Sequence, residues 1–147
     1  MRKNELKITI NADGGSRGNP GPSALGVVIR GGGKDKKYSE FLGTRTNNEA
    51  EYEAVIFAMK KAKQIFGKEK IKNSEVEIYL DSELVYNQLN ARYKIEEERL
   101  FPLFIKIWNL KQDFEEISFF AVPREKNREA DRLVNIELDK KEQGKIF

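Results

Sequence analysis

Leu6-Lys7-Ile8-Thr9-Ile10-Asn11-Ala12-Asp13-Gly14-Gly15-Ser16-Arg17-Gly18-Asn19-Pro20-Gly21 is the stretch that decides how this chain folds. Leu6, Ile8, Ile10 and Ala12 alternate with Lys7, Thr9 and Asn11, which is the period of a half-buried β-strand. The alternation stops at Asp13, so the strand is expected to end there and a glycine-rich turn to begin. An acid at the end of a central strand, followed by backbone with little side-chain cover, lets a large ligand approach closely. Such a place suits metal and phosphate chemistry. Asp-Gly and Asn-Pro-Gly are also ordinary turn formers, so the rest of the chain has to decide between a turn and a site.

Working outward, residues 24–30 and 36–42 read as further strands around a turn at Gly31-Gly32-Gly33-Lys34-Asp35, giving an antiparallel meander. A helix is expected over residues 47–66. Val55, Ala58, Ala62 and Ile65 recur there at helical spacing, Lys60, Lys61 and Lys63 face elsewhere, and Gly67 follows as a stop. Residues 75–80 read as a fourth strand, 82–89 as a short helix, 101–114 as a longer one and 117–122 as a fifth strand. In the longer helix Leu103, Phe104, Ile107, Trp108 and Leu110 form a broad apolar face, read as core in preference to base stacking by Trp108. A meander followed by alternating strands and helices indicates an α/β domain, one mixed sheet with helices on its faces.

Three more acids stand at comparable edges. Thr46 and Glu49 have the spacing of a capping box, which places Glu51 about one turn into its helix. Asp81 follows the strand pattern Val76-Glu77-Ile78-Tyr79-Leu80 directly. Asp131 falls one turn inside a last helix that Asn127 is placed to cap. Any one of these, in a chain with 24 acidic residues, reads as a solvated surface charge; their shared placement is what argues for a site.

Asp13-Gly14-Gly15-Ser16, Thr46-Asn47-Asn48 with Ala50-Glu51-Tyr52, Leu80-Asp81-Ser82 and the run from Arg124 to Asp131 together resemble the ordered motifs of type 1 ribonuclease H, over about residues 8–138. The resemblance implies a ribonuclease H-like fold with a five-stranded mixed sheet. It implies a site of Asp13, Glu51, Asp81 and Asp131 holding two Mg2+ (or Mn2+) and hydrolysing the RNA strand of an RNA–DNA hybrid to 5′-phosphate and 3′-hydroxyl ends. Asp13 would bridge both ions, Asp131 would serve the nucleophile side, and Glu51 with Asp81 the leaving-group side. Ser16, Asn47 and Asn48, with the backbone amides of Gly14 and Gly15, are the candidate contacts to the substrate groove. Thr46 is a further candidate, for a phosphate, beside its role as a helix cap.

The chain departs from the best-known bacterial members twice. Many of those carry a histidine on the loop before the last catalytic helix, and this chain has no histidine. Arg124 occupies that loop, either orienting a phosphate or water at the site or contacting the duplex backbone. In place of a basic, tryptophan-bearing protrusion stands Asn90-Ala91-Arg92-Tyr93-Lys94-Ile95-Glu96-Glu97-Glu98-Arg99, nearly balanced in charge, from which weaker grip on a hybrid is expected.

Composition is compatible with this. One domain over residues 1–147 is expected, with a short tail from about 140 in which Ile146 and Phe147 pack back. The absence of both cysteine and histidine excludes thiol nucleophiles, imidazole bases and structural zinc, and oxygen-only ligands favour hard cations. The 27 basic against 24 acidic residues leave +3, a mild excess that helps a polyanion dock without demanding one. No apolar run reaches the length of a membrane span, so a cytoplasmic protein without a membrane partner is expected, acting as a monomer. Double-stranded RNA is a further candidate substrate. A silent hybrid-binding module of the same fold, and a DNA-directed relative such as a transposase or junction-resolving nuclease, are the two competing classes.

Overall fold

The computed structural model describes residues 6–146, with side chains to residue 144. Three strands open the domain: β1 (Lys7–Ser16), β2 (Gly21–Gly31) and β3 (Lys34–Arg45). They form the expected antiparallel meander. The β2–β3 turn is two residues long, and its Gly32 and Gly33 have φ of +56° and +80°, as the tight hairpin turns that match strand twist require. Then come α1 (Asn47–Phe66), a one-turn α2 (Lys68–Lys72) absent from the sequence pattern, β4 (Glu75–Leu80), α3 (Glu83–Leu89), α4 (Phe101–Lys111), β5 (Glu116–Ala121) and α5 (Arg128–Ile146). The sheet is five-stranded in the order β3-β2-β1-β4-β5, with β4 and β5 parallel to β1.

The local signals at α1 are realised as written. The Thr46 hydroxyl accepts from Glu49 N at 3.2 Å while the Glu49 carboxylate accepts from Thr46 N at 2.9 Å. Gly67 ends the helix with φ of +88° and its N–H donated to the Lys63 carbonyl.

Successive strand residues point to opposite faces. A Cβ on Gly14 would strike α1 and one on Gly15 would meet Val134 of α5, so α1 and α5 lie on opposite faces of the sheet. The main core lies under α1, joined by α3 and α4, and includes Ile8, Ile10, Leu25, Val27, Ile29, Met59 and Ile78. A smaller cluster of Ala24, Val134 and Leu138 lies under α5.

Three expectations are corrected. β1 does not end at Asp13: it pairs with β2 as far as Ser16, Asp13 opposite Gly26, because the antiparallel hairpin continues after the parallel pairing to β4 has stopped at Asn11 and Tyr79. The apolar face of α4 is only partly core. Ile107 is buried and Leu103, Phe104 and Leu110 half-buried, but Trp108 is 56% exposed, since α4 packs at the domain edge with one sequence neighbour of the stripe turned outward. The stretch from about residue 140, expected as a short tail, is helical as part of α5, which continues to Ile146. The expected packing of the Ile146 and Phe147 side chains lies outside what is described.

Candidate active site

β1 is central, and beyond Asn11 it has no parallel neighbour, because β4 finishes at Leu80. The gap at the carboxyl ends of these parallel strands is where an α/β sheet offers a crevice. Asp13 projects there from β1 and Asp81 from the residue after β4. The same gap lets helices from both faces contribute, Glu51 from α1 and Asp131 from α5.

Close approach of those helices depends on two glycines. A Cβ on Gly14 would lie 2.1 Å from the Ala50 carbonyl oxygen and 2.6 Å from Glu51 N, so α1 rests directly on the β1 backbone. Gly14 N then donates to Glu51 Oε1 at 2.6 Å. On the other face a Cβ on Gly26, the cross-strand partner of Asp13, would lie 2.2 Å from the Ala130 carbonyl oxygen, so α5 rests on β2 one residue before Asp131.

Carboxylate oxygens of Asp13, Glu51 and Asp81 lie within 4.8 Å of one another. Asp13 and Glu51 are buried and Asp81 is half-buried. Asp131 is outside that trio but adjoins it, with its carboxylate in contact with Asp13 and its charge felt by Asp81. Glu51 Oε2 and Asp81 Oδ2 are buried without a hydrogen-bond partner, an arrangement that costs free energy unless a cation fills it. Burial pushes Asp13 up to about 7, helped by the neighbouring Asp81 and Asp131 charges and opposed by the Glu51 carboxyl beside it. Burial also holds Glu51 well above the carboxylate range, with Asp13 beside it raising it further and the Gly14 N–H opposing. Asp81 is raised by burial, against the lowering effect of Asn127 and of the Arg124 guanidinium. The donor set is all oxygen, matches hard divalent cations, and carries two lone oxygens turned inward; these residues fit Mg2+ or Mn2+.

The folded-state pKa of Asp13, about 7, exceeds the ordinary aspartate value of 3.8, so the folded chain retains a proton that the unfolded chain releases. In chelator, the metal-free protein is expected to lose stability as pH rises from about 4 to about 7. Added Mg2+ should raise the melting temperature little at the low end of that window and most above it. Thermal unfolding at pH 5 and pH 8, with chelator and with Mg2+, checks this; an Mg2+ effect equal at both would contradict it.

The candidate substrate contacts divide. Thr46 is 9% exposed and spends its hydroxyl on the capping box. The single Ser16 hydroxyl proton lies within reach of the carbonyls of Gly18 and of Arg45, and Ser16 N–H donates to Asn47 Oδ1 at 2.9 Å. Asn47 thus ties the end of β1 to the start of α1. Asn48 Nδ2 donates to Glu97 Oε1 at 2.7 Å, which leaves its own carbonyl oxygen as the free polar end. Arg124 is exposed on a 3-10 turn, Arg124–Lys126, ahead of α5 and faces Asp81 electrostatically. Glu97, Gly26 and the side-chain role of Asn127 carried no local signal, because each acts on a residue distant in the chain.

The chain is similar over most of its length to several known proteins. Residues 11–136 match the family model described as Reverse transcriptase-like. A bifunctional protein of Mycobacterium tuberculosis is 36% identical over 91% of this chain, and the chain spans 36% of that relative's length. A ribonuclease HI of Halobacterium salinarum is 38% identical over 86% of this chain and 62% of its own. Among solved structures, a ribonuclease H1 isolated from compost superimposes with a TM-score of 0.84 at 43% identity, covering 91% of this chain and 96% of the other. The same compost enzyme has been solved in complex with an RNA/DNA hybrid. With a family model over most of the chain, a solved relative matched along nearly its whole length and acids gathered at the strand ends, the chain belongs to the type 1 ribonuclease H family.

Proposed function

We propose that this protein is a metal-dependent endoribonuclease that hydrolyses the RNA strand of RNA–DNA hybrids by a two-metal-ion mechanism, leaving 5′-phosphate and 3′-hydroxyl ends. The observation that carries the proposal is the buried carboxylate cluster with its two unpartnered oxygens. Four acids without a cation repel one another and hold a proton among them; with cations they form a cage. Asp13, Glu51, Asp81 and Asp131 would be the ligands. Divalent cations there would lower the pKa of an attacking water and stabilise charge on the leaving 3′ oxygen. Asp13 touches both Glu51 and Asp131 and stands near Asp81, which suits a ligand common to two ions.

The chain's own groups do the positioning. Gly14 N–H holds Glu51 in place, and the Gly14–Gly15 backbone beside Asp13 is bare enough for a phosphodiester to approach. Asn48, oriented by Glu97, presents an acceptor that suits a 2′-hydroxyl donor in the minor groove. The compost relative's hybrid complex supports this class of substrate. Within the described residues no helix is long and apolar enough to cross a membrane.

The deciding assay offers labelled RNA–DNA hybrid, double-stranded RNA and double-stranded DNA with Mg2+, with Mn2+ and with chelator. Cutting of the hybrid's RNA strand alone, lost in chelator, is expected. Binding without cutting would mean a silent module, and DNA cutting a DNA-directed relative. Arg124→Ala is expected to lower turnover about tenfold and, because the guanidinium favours ionised Asp81, to move the acidic limb of the pH–rate profile to higher pH. An unmoved profile at full turnover would assign Arg124 to the duplex backbone or to nothing.

A further inference from the structure

Asn127 is 1% exposed and stands at the point where the 3-10 turn hands over to α5. Its place at the start of the helix suggests a side-chain cap, but the side chain turns the other way. Its Nδ2 donates to the Ala12 carbonyl at 3.0 Å, and its Oδ1 accepts from Asn11 Nδ2 at 2.9 Å. The amide has one workable orientation, because a carbonyl only accepts. Its side chain also reaches the Asp81 carboxylate, and its own carbonyl accepts from Asp131 N at 3.1 Å in the first turn of α5. One residue therefore grips the β1 backbone immediately before Asp13, stands beside Asp81 just after β4, and begins the helical turn that carries Asp131.

We propose that Asn127 is a positioning residue for metal binding, clamping the three elements that bear Asp13, Asp81 and Asp131 at one spacing. This rests on the metal-dependent reading above. The chemistry asks for an amide: an acceptor for Asn11, a donor for Ala12, and a polar side that favours the ionised Asp81 beside it, all from a short planar group. Serine has one hydroxyl and cannot span the three partners, and aspartate has no donor and would add a fifth charge. Outer groups that orient metal ligands typically change metal affinity by about 10–100-fold when removed.

The test measures Mn2+ binding to the free protein, by the paramagnetic resonance signal of unbound Mn2+, for the parent, Asn127→Ser and Asn11→Ala, well below their melting temperatures. Asn127→Ser is expected to bind Mn2+ at least about tenfold more weakly, with KM for the hybrid within about twofold of the parent and turnover recovering as Mn2+ is raised. A merely structural role would lower the melting temperature and leave the Mn2+ affinity of the folded protein unchanged; that result would overturn the proposal. Should Asn127→Ser not fold, Asn11→Ala decides, since it removes one arm of the clamp from a half-buried position: weakening of about threefold or more supports the proposal, and unchanged affinity overturns it. A parent protein that binds no Mn2+ would instead sink the metal-dependent reading, and the proposal with it, whereas a binding parent with indifferent variants sinks the proposal alone.

Discussion

Asp13→Asn is expected to reduce hydrolysis of the hybrid by on the order of 10³-fold or more, and at the same time to make the metal-free protein more stable. The activity loss reflects the position of Asp13 as the acid in contact with both Glu51 and Asp131. If Asp13 is a ligand common to two ions, as proposed, withdrawing it would forfeit several kcal/mol of charge stabilisation, and each ~1.4 kcal/mol is a factor of ten in rate. The gain in stability has the opposite origin. Asp13 is buried and its pKa stands at about 7, so above neutrality the folded state carries a charge that burial and its acidic neighbours oppose. A neutral amide of the same shape removes that cost. A rise in melting temperature of roughly 3–6 °C at pH 8 in chelator is expected, with little change in KM for the hybrid. Retention of more than about a tenth of parent turnover would take Asp13 out of the chemistry. A fall in metal-free stability would mean that the carboxylate is not under strain.

Gly14→Ala should have the largest effect on folding. The added Cβ would sit 2.1 Å from the Ala50 carbonyl oxygen and 2.2 Å from the Ala50 carbonyl carbon, both main-chain atoms that cannot rotate away. Either α1 lifts from β1 or β1 bends, and overpacking of this kind costs about 3 kcal/mol. In a chain of this size that corresponds to a fall in melting temperature of about 10 °C. The displacement falls directly on Glu51, whose Oε1 is held by the Gly14 N–H, so the surviving folded protein should also bind Mn2+ poorly. The adjacent Gly15→Ala is the control. Its Cβ would meet only Val134 Cγ1, at 3.4 Å, an ordinary contact on the opposite face, and a change within about 1 kcal/mol is expected. Equal losses at the two positions, measured by denaturant unfolding, would contradict the close approach of α1.

Much of the fold is legible in short windows. The capping box at Thr46 and Glu49, the stop at Gly67 and the strand before Asp81 each depend on residues within about one turn or one pleat of each other. The gathering of Asp13, Glu51 and Asp81 was legible too, by the order and flanking motifs of these acids. The exposed Trp108 was not, because a helical stripe states which residues align and not how much of the stripe a neighbour covers. The same holds for Ser16 and Asn47: short polar side chains beside an acid suit a ligand equally well as they suit each other, and here they bond to each other's chain.

From its residues alone, the chain reads as a meander followed by alternating strands and helices, with no cysteine or histidine and with Asp13, Glu51, Asp81 and Asp131 in or beside four of those elements. Only the tertiary structure decides that Asp13 lies within a strand that outruns its parallel neighbour, that Gly14 and Gly26 let two helices rest on bare backbone, and that Asn127 faces β1 instead of capping α5. The physical reason is range. Strand period and helix caps are settled by neighbours a few residues apart, whereas Gly14 meets Glu51 across 37 positions and Asn11 meets Asn127 across 116, contacts that exist only once the sheet has formed and both helices have docked on it.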